Sequence, residues 1–459
     1  MAAVIRASIV IAGVIVSFVL EGALCARFDA GSGPAMTAAF LALGLGRRTE
    51  RTLRATLIAV AMLPLISIVA AAFAFLVHDV PLAAAALYVA VLFFAIWSRG
   101  LGDPWPQIGQ IVAFPLLAVL VVPFAPHASG GAPVDLALVI AAGVIPYLVV
   151  ASLNAVSVRL HVVQLEHHLP KTPTERSRNV SLRTAAQVAA ALGAAFAIGF
   201  LLFPEHWGWV VLTAFIVSGA TRGREDAAYR ALARVGGAIA GTIGAAVMQH
   251  VLPADTRVSW IVILLGLFAG TALRERNYAY WAAAFTLVLA MLQRFGEGFS
   301  LALLGERIEA IVAGAICGVL ATWFVAPVPT ELIARRLVAD TLAALLEVFA
   351  PGESPKTRLR ELRVLEHRVK ALDHVGPALS FHRRLPLANG DDHASEWIAL
   401  LRATLTEVRS IAASDGTLAE ERRVAIERAV QRSRRALGRG SEPVGEALRR
   451  LKASVEVAR

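Results

Sequence analysis

Long runs of apolar residues, separated by short polar stretches, recur along the first 330 positions of the chain. Ten of them approach or reach the roughly 17–25 apolar residues that a helix needs to cross a bilayer. Two others, Pro34–Leu45 and Gly208–Ala220, are shorter. The pattern predicts twelve membrane helices. The ten longer segments are Val4–Leu24, Leu53–Val77, Val80–Trp97, Ile108–Pro126, Val134–Val156, Ala185–Phe203, Ala233–Leu252, Ser259–Leu273, Tyr278–Gln293 and Ile308–Val325.

The two short segments have a special meaning in a membrane protein. A helix of that length rises only about 18–21 Å, at about 1.5 Å per residue, whereas the hydrocarbon layer is about 30 Å thick. Each short helix must therefore be half-inserted, broken or joined to an irregular stretch that lines a cavity. Short or interrupted segments in corresponding positions of two repeats are a typical sign of a transporter site.

The two halves of the apolar region resemble each other. Polar landmarks recur 175–180 residues apart, although chance similarity between hydrophobic helices is the alternative explanation. The pairs are Thr37 and Thr213, Asp79 and Asp255, Arg99 and Arg274, and Arg54 and Arg234. Six crossings per half give both halves the same orientation, so the sequence predicts two parallel six-helix repeats.

Arginines are concentrated in alternate loops, which the positive-inside rule assigns to the cytoplasm. The distribution predicts that both termini are cytoplasmic. We expect four parts. They are a first membrane repeat (1–157), a cytosolic linker (158–184), a second membrane repeat (185–328) and a cytosolic helical domain (329–459).

Composition supports the division into a membrane part and a soluble part. Overall, 57% of residues are hydrophobic and 17% are charged, with a mean hydropathy of +0.65. Residues 1–330 hold 21 Lys and Arg and 16 Asp and Glu, whereas residues 331–459 hold 23 and 18. These values exclude an ordinary cytosolic enzyme, a disulfide-rich secreted domain and a disordered protein. We expect an all-α integral membrane protein with a C-terminal cytosolic helical bundle.

Motifs of common enzyme and metal sites are missing from the sequence. It has no G-x-x-x-x-G-K-[ST], H-E-x-x-H, C-x-x-C or G-x-S-x-G, and its two cysteines, Cys25 and Cys317, are far apart. We therefore expect no enzymatic activity, no cofactor, no metal and no use of ATP. The net charge of +10 is spread over both parts, and acids interleave with the basic residues, so we expect no nucleic-acid partner.

A basic helix start follows the second short segment. Arg230 and Arg234 share one helix face near a helix N-terminus, where the helix dipole also favours anions. Gly237, Gly241 and Gly244 follow at spacings that suit close helix packing. An anion-attracting mouth is one interpretation. In the other interpretation, the arginines only follow the positive-inside rule and the glycines only allow close packing.

The stretch His206-Trp207 … Leu212-Thr213 … Arg230 … Arg234-x-x-Gly237-x-x-x-Gly241 resembles the fusaric acid resistance family of aromatic acid exporters. The resemblance covers about residues 185–330, and residues 1–155 are similar to a degenerate copy. Ala238, where the family usually has Thr, departs from the pattern. The resemblance implies proton-driven export of small organic anions, often aromatic carboxylates, from a bacterial inner membrane. It also implies a periplasmic adaptor partner. We also expect a homo-oligomer in the lipid bilayer.

Candidate substrate ligands are arginines near segment ends and aromatic residues that could stack on a ring. They are Arg54, Arg230, Arg234, Arg274, Trp207, Trp209 and Tyr278. For the aromatic residues, an interfacial belt that binds no substrate is the alternative. Proton coupling needs a titratable group within the bundle, and Glu21, Glu309 and His206 are the candidates.

Three functions fit these features. A proton-coupled exporter of organic anions is the leading hypothesis. An anion channel would use the same arginines without a proton-coupling carboxylate, and a non-transporting membrane scaffold would recruit partners through its helical domain.

Overall fold

The protein is described by a computed structural model in which every element among the described residues is a helix. The described residues are 2–46, 53–102, 104–121, 132–160, 175–219, 222–251, 256–274, 276–293, 301–350, 355–383, 394–413, 420–438 and 442–457. The chain divides into two compact units. The first holds residues 1–220 and 230–326, and the second holds residues 221–229 and 327–459.

Among the described residues, twelve α-helices lie before residue 327 and carry the apolar part of the chain. They are α1 (Ala2–Arg27), α2 (Gly33–Leu45), α3 (Leu53–Asp79), α4 (Pro81–Trp97), α5 (Trp105–Val121), α6 (Ala132–Arg159), α7 (Glu175–Leu202), α8 (Trp207–Gly219), α9 (Arg224–Val251), α10 (Thr256–Leu273), α11 (Tyr278–Gln293) and α12 (Leu301–Phe324). A 3₁₀ turn, Ser98–Leu101, follows α4. Each of the twelve apolar segments in the sequence thus overlaps one of these helices.

Six of these helices, α1, α3, α4, α6, α7 and α9, are long and apolar enough to cross a membrane, which agrees with a multi-pass membrane protein. A helix satisfies all of its backbone hydrogen bonds internally, as hydrocarbon requires. Helices α2, α5, α8, α10 and α11 are apolar but shorter. That all twelve cross the bilayer stays a prediction. Helix α7 begins at Glu175, so part of the expected cytosolic linker is helical; no Gly or Pro interrupts it between residues 175 and 184.

Corresponding helices of the two halves have corresponding neighbours. Helices α1, α2 and α6 pack on one another, and so do α7, α8 and α12. The two halves also contact each other, since α1 of the first half packs on α10 of the second and α4 of the first packs on α7 of the second. Prolines differ between the halves: Pro64, Pro115 and Pro146 lie inside α3, α5 and α6, whereas α7–α12 contain none.

The second unit is a helical bundle with its own core. Its helices are α13 (Thr330–Val348), α14 (Pro355–Asp373), α15 (Gly376–Arg383), α16 (Ala394–Ala413), α17 (Glu420–Leu437) and α18 (Val444–Val457). Trp397 is fully buried among Leu, Val and Ile side chains, and the Arg335 guanidinium lies 5.2 Å from its ring centroid. Arginines of α17 neighbour acids: Arg423 hydrogen-bonds Glu420 and lowers the pKa of that carboxyl. Such pairs are typical of a solvated surface.

The start of α9 belongs to this second unit. The backbone N–H of Arg224 donates to the Val328 carbonyl at 3.1 Å, and the Thr330 N–H donates to the Glu225 carboxylate at 2.8 Å. Gly223 adopts a φ of +110°, and a Cβ there would lie 2.7 Å from the Thr330 backbone. These contacts explain why the second unit includes residues 221–229, which lie outside the domain expected from the sequence.

Glycines bring membrane helices into direct contact. A Cβ on Gly237 would lie 2.7 Å from the Ala279 carbonyl oxygen, and one on Gly241 would overlap the Ala283 carbonyl oxygen. Helix α9 thus lies against the backbone of α11 at both positions. Gly244 differs, because a Cβ there would meet only the Leu287 side chain, at an ordinary 3.7 Å.

Helices α12 and α8 form a similar pair. A Cβ on Gly314 would overlap the Val210 carbonyl oxygen, and one on Gly318 would lie 2.8 Å from the Val217 side chain. In both helix pairs, the absence of a side chain sets the distance between the backbones.

We expect Gly237→Ala to lower the melting temperature (Tm) of the purified protein in detergent, because the added methyl group would push α9 from α11, at a cost of about 1–3 kcal/mol. The neighbouring Gly236→Ala is the matched control. A Cβ at Gly236 meets nothing within 4 Å. The control should therefore keep or raise the Tm, because alanine stabilises a helix by about 0.5–1 kcal/mol relative to glycine. Equal Tm values for the two variants would contradict the packing described above.

Candidate functional site

A cavity of about 850 Å³ lies in the first unit between α1, α2, α5, α8, α10 and α11. Its wall is mostly apolar, and Ser32, Glu205 and His206 contribute polar groups. Six aromatic side chains line it: Phe18, Phe40, Trp207, Trp209, Trp260 and Phe285. Sites for small ligands are typically apolar cavities of about 300–1,000 Å³ with a few polar groups. The cavity therefore suits a small organic molecule with an aromatic ring.

Close helix contacts place these rings. Helix α8 begins against the end of α5, where a Cβ on Gly208 would lie 2.8 Å from the Leu120 carbonyl oxygen. This contact brings Trp209, one residue later, to the cavity wall. On another wall, the Phe18 and Trp260 rings contact each other at 5.2 Å and join α1 to α10.

Arg307 is buried beside this cavity. It lies on α12 with a side chain that is 1% exposed, and its Cζ is 4.0 Å from the centroid of the Trp209 ring. Its Nε, Nη1 and Nη2 atoms have no hydrogen-bond partner among the described residues. The indole ring therefore supplies the contact that a carboxylate would normally supply to a buried guanidinium.

Arg234 lies in a similar position on α9. It is fully buried, and its Cζ is 5.8 Å from the centroid of Phe285. Its Nε and Nη2 atoms have no hydrogen-bond partner in the described part of the chain. Arg234 and Arg307 are close enough to interact electrostatically, as are Arg234 and Tyr278.

Each of these arginines lies seven residues before a glycine that contacts the facing helix. Arg234 precedes Gly241 on α9, and Arg307 precedes Gly314 on α12. The facing helices carry Thr286 and Thr213, whose buried Oγ1 atoms have no hydrogen-bond partner among the described residues. Two guanidiniums that interact in an apolar interior repel each other, and a bound anion would reduce this repulsion.

Aromatic contacts extend from this pair along α11. Phe285 stacks on Trp281 with ring centroids 5.6 Å apart. The Arg274 guanidinium in turn lies 5.2 Å from the Trp281 centroid and interacts electrostatically with Tyr278. Arg274, Trp281, Phe285 and Arg234 thus form a continuous series of charged and aromatic groups.

His206 lies at the cavity, 3.2 Å from a carboxylate oxygen of Glu306. Glu306 is half-exposed and precedes Arg307 on α12. Two consecutive residues of α12 therefore contact the start of α8, one at His206 and the other at Trp209.

A separate polar group is buried on α1. Glu21 and Ser17 are fully buried and lie one turn apart, so they share a helix face. Neither Glu21 oxygen, nor the Ser17 hydroxyl, has a hydrogen-bond partner among the described residues. A carboxyl group in such surroundings is a good candidate to bind and release a proton.

The structure separates the remaining sequence candidates. Arg230 is partly buried one turn before Arg234, and Glu309 is exposed on α12. Trp207 belongs both to the cavity wall and to a cluster with Phe196, whose ring it stacks on at 5.7 Å. Arg54 lies in α3, but its side chain is outside the described residues.

Sequence analysis did not include Arg307 among the candidate ligands. The signal that could have found it is its spacing from Gly314, which equals the spacing of Arg234 from Gly241. Among the described residues, no group of three or more His, Cys, Asp or Glu side chains could hold a metal ion.

Residues 191–321 match the model of the fusaric acid resistance protein-like family. This segment includes Trp207, Trp209, Arg234, Phe285 and Arg307, and the match confirms the resemblance found in the sequence. It indicates a membrane transporter. No curated protein matches the chain.

We expect Arg307→Met to hold or raise the Tm of the empty protein. Burying an unpaired charge costs several kcal/mol, more than the roughly 2 kcal/mol that a buried cation–π contact contributes. Arg335→Met is the matched control, since Arg335 also lies over a tryptophan but pairs with Glu331 at 3.0 Å; it should lower Tm. A larger loss of Tm in Arg307→Met than in the control would show that Arg307 is already neutralised.

Proposed function

Starting from the family match over residues 191–321, we propose that the protein exports small organic anions, chiefly aromatic carboxylic acids, across a bacterial inner membrane. The proton gradient drives this export. The observation that carries the proposal is the pair of buried, unpaired guanidiniums of Arg234 and Arg307 beside an aromatic cavity. The guanidiniums would bind the carboxylate, and the rings would bind the apolar part of the substrate.

The architecture we propose has twelve membrane helices in two parallel six-helix repeats, followed by a cytosolic bundle. The equivalent packing of α1, α2 and α6 and of α7, α8 and α12 supports the repeat. The arginine distribution supports cytoplasmic termini. In this orientation, the ends of α1, α5, α7 and α11 and the starts of α2, α8, α10 and α12 all face the periplasm. The cavity residues near those ends would then lie in the periplasmic half of the protein.

Proton coupling is assigned to Glu21, with His206 as a second group on the periplasmic side. The burial of Glu21 without a hydrogen-bond partner supports this role, because its neutral form is favoured in apolar surroundings. His206 is at the cavity wall beside Glu306, where a proton from the periplasm would reach it. A carrier needs such a group, whereas a channel does not.

We expect Arg234→Ala to abolish efflux of benzoate and related acids from intact cells while the protein level in the membrane stays unchanged. The reason is the loss of a guanidinium that no other described side chain neutralises. Efflux is measured as retained radiolabelled acid after loading. Arg276→Ala removes an exposed arginine and is the control, with near-normal efflux expected. Normal efflux by Arg234→Ala would remove the site assignment.

We also expect Glu21→Gln to abolish proton-driven efflux in proteoliposomes, because glutamine has the shape of glutamic acid but cannot exchange a proton. Anion exchange without a proton gradient should continue. Asp79→Asn, which changes an exposed acid at the end of α3, should leave both activities intact. Anion currents in planar bilayers that need no proton gradient and survive Glu21→Gln would instead identify an anion channel.

A further inference from the structure

The two guanidiniums also bear on the charge of the ligand. We infer that the site at Arg234 and Arg307 takes an aromatic ligand with two anionic groups, one for each guanidinium. The inference rests on the proposed function of anion export and adds the number of anionic groups on the substrate.

Charge balance is the first step. Five guanidinium nitrogens, Nε and Nη2 of Arg234 and Nε, Nη1 and Nη2 of Arg307, are buried and lack a hydrogen-bond partner among the described residues. Glu306 is next to Arg307 in sequence but is half-exposed and pairs with His206. A ligand with one negative charge would leave one buried positive charge uncompensated, whereas two anionic groups would neutralise the pair.

Placement is the second step. The arginines come from different helices, and each lies against a different ring of the cavity wall: Arg307 against Trp209, and Arg234 against Phe285. Neither arginine belongs to the cavity lining, so the two rings separate a ligand in the cavity from both charges. If these two rings rotated, one anionic group of a ligand could reach Arg307 and the other could reach Arg234. The ring of the ligand would then lie between the aromatic side chains.

Hydrogen-bonding capacity is the third step. A guanidinium binds a carboxylate through two parallel N–H···O bonds. The five unpartnered nitrogens carry eight N–H donors, three on Arg234 and five on Arg307, whereas one carboxylate has only about four lone-pair sites to accept them. Two carboxylates on one ring would match the free nitrogens of both arginines. Thr213 on α8 and Thr286 on α11, the helices that carry Trp209 and Phe285, also have buried hydroxyls without a partner among the described residues.

The test is isothermal titration calorimetry of the full-length protein in lipid nanodiscs at about pH 7.5, where these carboxylates are ionised. The ligands are benzoate, phthalate, isophthalate and terephthalate. We expect at least one benzene dicarboxylate to bind ten or more times tighter than benzoate. Arg307→Gln should reduce that affinity at least tenfold and should reduce benzoate affinity by a smaller factor. Arg307→Lys retains the charge but not the planar guanidinium, so its affinity for the dicarboxylate should lie between those of the wild type and Arg307→Gln.

Equal affinities for benzoate and all three dicarboxylates would overturn the inference, and so would an equal loss of both ligand types in Arg307→Gln. Absence of binding by every one of these acids would overturn it too. The export proposal is judged separately, by the dependence of cellular efflux on Arg234. Because removal of an unpaired buried charge leaves no orphaned acid, Arg307→Gln should fold, and its Tm distinguishes lost binding from lost structure.

Discussion

Contact between helix backbones at glycine positions determines the geometry of the candidate site. Gly237 and Gly241 set α9 against α11, and Gly314 sets α12 against α8. The same two helices, α9 and α12, carry the buried arginines, and the facing helices carry the rings that cover them. With side chains at these glycines, the helices would move apart and the guanidiniums would lose the aromatic contacts that stand in for counterions. The packing of these helices therefore also determines where the two buried charges lie.

The buried positive charges set the chemical character of the site. A membrane interior disfavours an ionised side chain unless a partner or water stabilises it. Arg234 and Arg307 instead contact aromatic faces, which attract cations weakly and leave the hydrogen-bond donors unused. Five of their nitrogens lack an acceptor among the described residues, and under the proposed function a bound anion would supply acceptors there. Stability of the empty protein and affinity for an anion would then oppose each other at these two positions.

Sequence reasoning located the helices well because the length of an apolar run and the position of an arginine-rich loop can be read from consecutive residues. Arg234 and the aromatic candidates were named for the same reason, since each stands near a segment end next to a recognisable pattern, and their role in binding stays a prediction. Arg307 was not found, since its importance comes from Trp209, which is almost a hundred positions away. The inclusion of residues 221–229 in the second unit was equally hidden, because it depends on backbone hydrogen bonds to Val328 and Thr330.

Proline placement gives the two halves different mechanical properties. Each proline inside α3, α5 and α6 removes a backbone hydrogen bond and permits a bend at that turn. The helices of the second half keep their hydrogen-bond ladders intact, and two of its helix pairs are locked backbone to backbone at glycines. Deformation during a transport cycle would accordingly concentrate in the first half. The second half, with both arginines, would act as the stiff frame against which the first half flexes.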